Sequence, residues 1–379
     1  MSISRFALLL AVVAALAPLG AQAPRVLDKA QAEIAEPFTN VGSIRELSDG
    51  RVIVIDNGDR AVYAVDFKAG TSTQIGRPGD GPNEYRTPSL LLPAAADTTL
   101  VVDMTNRRLL VLGPDAQPAG LISDAWPFAN GGPGTRLPRG VDGRGRGYFL
   151  GTTTNPANSA NAARSGQITQ PDSVPLLRVA RGTTADETLG YVHLAQRRVT
   201  ATQQNGKITS MNVMIPPFSS QDGWQPFPDG AIAIVRVGDY HVDWVLPDGG
   251  RTSGKPIAFS RVRVTDKDKA SVPNGMPAGR GVPAGTSVMA GPATLDWPEF
   301  KPPFPWTGVL AGSDGRVWVQ RYGAAEDRRT HYDVIDRRGV VVARVDVPNG
   351  GHIVGFGVRA IYVVRKDADD LQYLQRFPL

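Results

Sequence analysis

The sequence predicts an all-β protein: a six-bladed β-propeller whose ring is closed by an N-terminal strand. Three observations lead there. Helical periodicity is nearly absent, and short runs of Val, Ile, Leu, Tyr and Trp recur between Asp-Gly, Asn-Gly and Pro-rich turns, the pattern of strands and hairpins. One unit repeats: an acid-Gly turn, a β-branched strand, a polar loop, a second strand with an aromatic or a run of Leu, and another turn. The turns fall near residues 49, 97, 142, 229, 314 and 358, and three of the gaps match the roughly 40–45 residues of a four-stranded blade.

Blade 1, near 41–77, rests on "LSDGRVIVIDNGDRAVYAVDFKAG", and blade 2, near 88–124, on "LPAAADTTLVVDMTNRRLLVLGPDAQ". Blade 3, near 136–195, starts at "VDGRGRGYFLG" and resumes at "SVPLLRVARG". Blade 4, near 223–262, holds "FPDGAIAIVRVGDYHVDWVLPDGG"; blade 5, near 306–348, holds "GSDGRVWVQRYGAAEDRRTHYDVIDRRG". Blade 6, near 353–377, carries "GFGVRAIYVVRKDADDLQYLQRF" with a degenerate turn. The two double-length gaps read as insertions and not as extra blades. Residues 152–173 are polar, and residues 266–305 are rich in Gly, Pro and Ala, neither of which is strand-like. The sixth copy stops after its third strand. Residues 25–36, "RVLDKAQAEIAE", are therefore expected to supply the outer strand and remove an open edge.

Residues 1–23 have the form of a secretory signal peptide: Arg5, the apolar run "FALLLAVVAALAPLG", then "AQA", with cleavage expected after Ala21 or Ala23. The apolar run is shorter than the roughly 20 residues of a membrane span, and Pro18 and Gly20 interrupt it. The reading is a secreted or periplasmic propeller over 24–379 with no membrane span. There is no cysteine, so neither a disulfide nor thiol chemistry is available and stability must come from the apolar core. The net charge of +5 is dispersed, which gives no footprint for nucleic acid.

The stretch "IGRPGDGPNEYRTP", Ile75 to Pro88, joins blade 1 to blade 2. It lacks the Gly-Lys-Ser/Thr of a P-loop and the alternating acids of an EF-hand, so its glycines and prolines read first as a corner. The glycine-rich corner with Tyr85 and Pro88, "VVD" ending at Asp103, Asn106, Arg108 and "LLVL" together resemble an NHL-type repeat over about 40 residues. The whole chain resembles exported bacterial six-bladed β-propeller proteins, a group that implies the fold but transfers no defined activity. In the NHL-type pattern the strand-end acid is structural, so Asp103 is expected to pair with Arg108 and Asp56 with Arg60. The connection opens where propellers commonly bind ligands, which makes Asp80, Glu84, Tyr85 and Arg86 binding candidates.

Other candidates are aromatic. "SSQDGWQPFPDG" carries Trp224, and "DWPEFKPPFPWTG" carries Trp297, Phe304 and Trp306 between prolines that exclude a central strand. Such rings on Pro-stiffened loops can form a platform over a channel mouth or serve as core that seals the inserts. His241 and His331 occupy matching places in "HVDW" and "HYDV", and a zinc site would have to assemble them from different blades. No G-x-S-x-G supports serine catalysis. The expectation is a non-catalytic propeller module that binds an unknown protein, peptide or carbohydrate, without a cofactor. The alternative is a calcium-dependent lactonase- or esterase-like hydrolase. Resemblance to such propellers would place Asp56, Asn57, Asp103, Asn106 or Asp367 on the ion.

Overall fold

A computed structural model describes residues 23–127, 136–151, 171–195, 198–204, 207–271 and 297–379. Each blade is an antiparallel sheet of four consecutive positions: inner, second, third and outer. Blade 1 runs Val41–Glu46, Val52–Asp56, Ala61–Asp66 and Thr71–Ile75. Blade 2 runs Pro88–Pro93, Thr99–Asp103, Arg108–Leu112 and Pro118–Ile122. Blade 3 is Gly140–Val141, Gly147–Leu150, Ser173–Val179 and Asp186–His193, and blade 4 is Gly223–Pro226, Ile232–Arg236, His241–Val245 and Arg251–Ser253. Blade 5 is Val309–Ala311, Val317–Arg321, Thr330–Ile335 and Val341–Val347; blade 6 has His352–Phe356, Ala360–Lys366 and Gln372–Pro378.

The side-chain pattern follows from position in the ring. Second strands are covered on both faces by neighbouring blades, so "VIVID" of blade 1 and "TLVVD" of blade 2 are buried throughout and read as continuous apolar runs. The outer strand "TSTQI" reaches solvent and is mostly exposed. Among the described residues the apolar core divides into six clusters, one in each gap between adjacent blades. Phe227, Trp244 and Val319 fill the gap between blades 4 and 5, for example, and Leu47, Tyr85 and Leu110 the gap between blades 1 and 2. The acid-Gly turns work as expected. The carboxylates of Asp49, Asp229 and Asp314 each accept the amide two residues on, at 2.9–3.0 Å. The glycine after each sits at φ of 78–91°, open to glycine and strained for other residues.

Ring closure is shared more widely than the sequence suggests. The segment expected as one strand is two. Ala32–Glu33 pairs antiparallel with Arg376 and Gln375 and supplies the outer strand of blade 6. Arg25–Val26 instead pairs parallel with Val345 and Asp346 and adds a fifth strand to blade 5. Leu27, Ile34 and Phe38, all buried, peg the segment down along this path. A second difference is the hairpin Arg198–Gln204 and Lys207–Met214, which follows blade 3. Its signal was present as alternating residues around Asn205-Gly206, a strong hairpin cue. The expected insertion at 152–173 lies almost wholly outside the described residues. So does most of 266–305, although that segment opens with a short helix, Asp266–Ser271. No helix among the described residues is long and apolar enough to cross a membrane.

Candidate functional site

The corner between blades 1 and 2 satisfies itself. Arg86 forks onto the Asp80 carboxylate, and Arg108 donates to the carbonyls of Asp80, Gly81 and Glu84 at 2.8, 3.1 and 2.9 Å. The Glu84 carboxylate accepts the Gly81 amide at 2.7 Å and the Arg77 side chain at 2.7 Å. The Arg86 hydrogen bond draws the Asp80 carboxyl down to about 2, and the Gly81 and Arg77 bonds lower that of Glu84. Tyr85 is core: fully buried, its hydroxyl donates to the Ile75 carbonyl at 2.9 Å and accepts the Val62 amide at 3.1 Å. Its expected place on a binding surface is thereby corrected, because the ring turns into the gap between the blades.

The aromatic set divides in the same way. Trp224 is buried between blades 3 and 4, with the Arg139 guanidinium 5.5 Å from its ring. Phe304 is buried against Tyr240, centroid to centroid 5.5 Å. Both are core, not platform. Trp297 is half-buried beside Phe218 at 6.2 Å, and Trp306 is half-buried in the single turn Trp306–Gly308. The loop between them is fastened from below. Buried Lys301 meets the buried Asp268 carboxylate at 2.7 Å, donates to the Gly323 carbonyl at 3.0 Å, and lies 5.3 Å from the Phe218 ring centre.

The strand-end acids are held by backbone amides. Asp56, fully buried, accepts the amides of Thr39, Asn40, Gly58 and Asp59 at 2.7, 2.9, 2.8 and 3.2 Å. These backbone donors take the place of the expected Arg60 partner, and Arg60 itself adopts a left-handed turn conformation, φ 54°. Asp103 takes the amides of Arg86, Thr87 and Asn106 and stands 3.8 Å from the Arg108 side chain, as expected. Asp367 accepts the amides of Asp369 and Leu371, and Asn106 donates to the Gly79 carbonyl. His241 and His331 are equivalent in register, opposite Arg236 and Arg321. Each imidazole has both nitrogens against carboxylates, Asp239 and Asp243 for one, Asp346 and Asp327 for the other. Among the described residues no three His, Asp or Glu side chains converge as metal ligands would.

A cavity lies elsewhere, at the centre of the ring. A space of about 750 Å³ occupies the central channel and opens at the end marked by the turns from inner to second strand. Ile44, Leu90, Val141, Pro226, Leu310 and Val354 line it, one from each blade. None of the eight predicted binding residues does. Charged groups at its rim are matched within the protein. Arg45 meets Asp97 at 3.0 Å across the blade 1–2 gap, and burial lowers its pKa against the pull of that carboxylate. Arg337 meets Asp229 at 2.6 Å and Arg316 meets Asp314 at 3.4 Å. The Tyr362 hydroxyl donates to Glu46 at 2.6 Å; burial first, then the Glu46 hydrogen bond and charge, hold its phenol well above the ordinary value. This cavity had one sequence signal: each lining residue lies a few positions before a repeated turn.

No family model matches the chain, and no curated protein matches it. Solved structures do, at low similarity. Regucalcin, a calcium-binding protein of Agrobacterium tumefaciens, is 13% identical over 93% of this chain and 95% of its own, with a TM-score of 0.36. The PQQ-bound aldose sugar dehydrogenase of Streptomyces coelicolor is 13% identical over 92% and 98%, with a TM-score of 0.41. A catalytically inactive virginiamycin B lyase of Staphylococcus aureus, with quinupristin, is 13% identical over 92% and 99%, with a TM-score of 0.39. Likenesses this distant carry no residue correspondence and no argument about activity. The fold rests on the strand pairing, and the NHL-type likeness stays a resemblance in sequence.

Proposed function

We propose that the protein is a non-catalytic binding module of the cell envelope or the exterior, and that it holds an uncharged ligand with an apolar body in the central channel. The observation that carries this is the channel cavity: about 750 Å³, walled by aliphatic side chains from every blade. A preformed concave apolar space with a few polar groups at its edge is what small-molecule sites share. The rim argues for the ligand's charge. Arg45 and Arg337 already face carboxylates and Arg139 lies over the Trp224 ring, so a charged ligand would lose its hydration for partners that are already engaged. The hydrolase reading asks carboxylates to turn toward an ion, whereas Asp56, Asp103 and Asp367 are held by backbone amides.

The test fills the cavity. N-phenyl-1-naphthylamine, an uncharged fluorescent probe, is expected to bind saturably to the mature chain. Leu90→Trp and Leu310→Trp each place an indole in the empty space, and each is expected to weaken the probe by about tenfold or more while the melting temperature holds. Undiminished probe binding by both variants would overturn the assignment.

A further inference from the structure

A second pocket, of about 180 Å³, lies on blade 5 at the opposite end of the ring, where the second strand passes to the third. Phe259, Val262, Pro302 and Pro303 form apolar walls. The two prolines belong to the loop between Trp297 and Trp306, so part of that loop does border a cavity.

The polar groups of this pocket sort into two kinds. Those that accept are taken. Asp327 receives the Arg329 fork at 2.8 and 3.0 Å and faces His331 Nε2 at 3.1 Å, while His331 Nδ1 lies 2.7 Å from Asp346. Those that donate are not. Arg321 Nε, buried and without a hydrogen bond, stands 3.2 Å from the buried Asp333 carboxylate, and the terminal guanidinium nitrogens make no hydrogen bond to the described residues. The Tyr322 hydroxyl also has no hydrogen-bond partner among the described residues. Burial alone pushes that phenol up to about 12. Ser260 adds an unpartnered hydroxyl at the exposed rim.

Donors that make no hydrogen bond to the described residues, set beside apolar walls, suit an acceptor on an apolar body. We propose that this pocket binds a small monocarboxylate, its two oxygens on the Arg321 terminal nitrogens and the Tyr322 hydroxyl, its body between Phe259 and the Pro302–Pro303 wall. The planar fork of arginine matches a carboxylate in a way that a point charge does not. A dianion fits worse, because Asp333 already offsets part of the Arg321 charge and the walls offer nothing to a second one. The site is independent of the channel, which shares none of these residues.

Benzoate is the probe, with benzamide as its neutral counterpart, titrated into the mature chain by calorimetry or ligand-observed NMR. Benzoate is expected to saturate one site and to bind at least tenfold more tightly than benzamide. Tyr322→Phe removes only an unpartnered hydroxyl, so it is expected to leave the melting temperature unchanged and weaken benzoate about tenfold. Arg321→Lys keeps a cation beside Asp333 but loses the fork, and is expected to weaken benzoate to a similar degree. The channel variant Leu90→Trp is expected to bind benzoate as the parent does. Equal affinity for benzoate and benzamide, parental binding by Tyr322→Phe, or loss of binding in Leu90→Trp would each overturn the proposal.

Discussion

A chain beginning at Thr39 is expected to lose its cooperative unfolding transition. The deletion removes Leu27, Ile34 and Phe38, whose exposures are 3%, 1% and 4%. At about 1.5–3 kcal/mol for each fully buried apolar side chain, the loss is about 5–9 kcal/mol, an upper estimate because unfolded chains retain some burial. That is comparable with the whole stability of an ordinary domain, about 5–15 kcal/mol. The deletion also strips the ladder partner from Gln372–Pro378 and the parallel partner from Val341–Val347, leaving two open edges that invite association between chains. Urea unfolding followed by tryptophan fluorescence, with light scattering on the same samples, measures both effects. Ile34→Ala is the graded form, with an expected cost of about 2–5 kcal/mol. A truncated chain that stays monomeric and unfolds within a few degrees of the parent would show that closure lies elsewhere.

The N-terminal segment also shows what was legible in the sequence. The need for a closing strand followed from a sixth repeat that stops at its third strand. The division of labour did not, because two-residue strands carry no periodicity. Their positions are set by single anchors, Leu27 and Ile34, that resemble any apolar residue. The blades themselves were legible because second strands are apolar on both faces and, in blades 1, 3, 4 and 5, follow an acid-Gly turn, as in "DGRVIVID". Aromatic residues misled for the opposite reason. Tyr85, Trp224 and Phe304 sit among Gly, Pro and acids as a surface platform would, and only the register decides that their rings turn inward. The channel cavity was the least legible feature. Ile44, Leu90, Leu310 and Val354 are hundreds of residues apart at the extremes, each an unremarkable strand residue, and they meet only because the ring closes.

Aspartates at strand ends and turns carry two different burdens. Asp56→Ala is expected to cost about 3–5 kcal/mol, since four backbone donors lose their acceptor together and each buried donor left unmet costs about 1–3 kcal/mol, less where water can reach it. Thr39 and Asn40 lead into the inner strand of blade 1, while Gly58 and Asp59 lie between its second and third strands. The carboxylate therefore ties the chain entering the blade to the first hairpin that follows. Asp56→Asn keeps one acceptor oxygen but turns an N–H₂ toward the remaining donors, and is expected to fall between alanine and the parent. Asp367→Ala, at a half-exposed turn where the carboxylate accepts the Asp369 and Leu371 amides, is expected to cost about 1 kcal/mol or less. Denaturant midpoints of the three variants, at equal m-value, measure this ranking. Adding calcium to the same samples separates the two roles that an aspartate at a strand end can have. A structural acid predicts the same loss with calcium present or absent, whereas an ion ligand predicts a parent stabilised by calcium and an alanine variant indifferent to it. Four amides within 2.7–3.2 Å of two oxygens leave the Asp56 carboxylate little to offer an ion, and the structural outcome is the expected one.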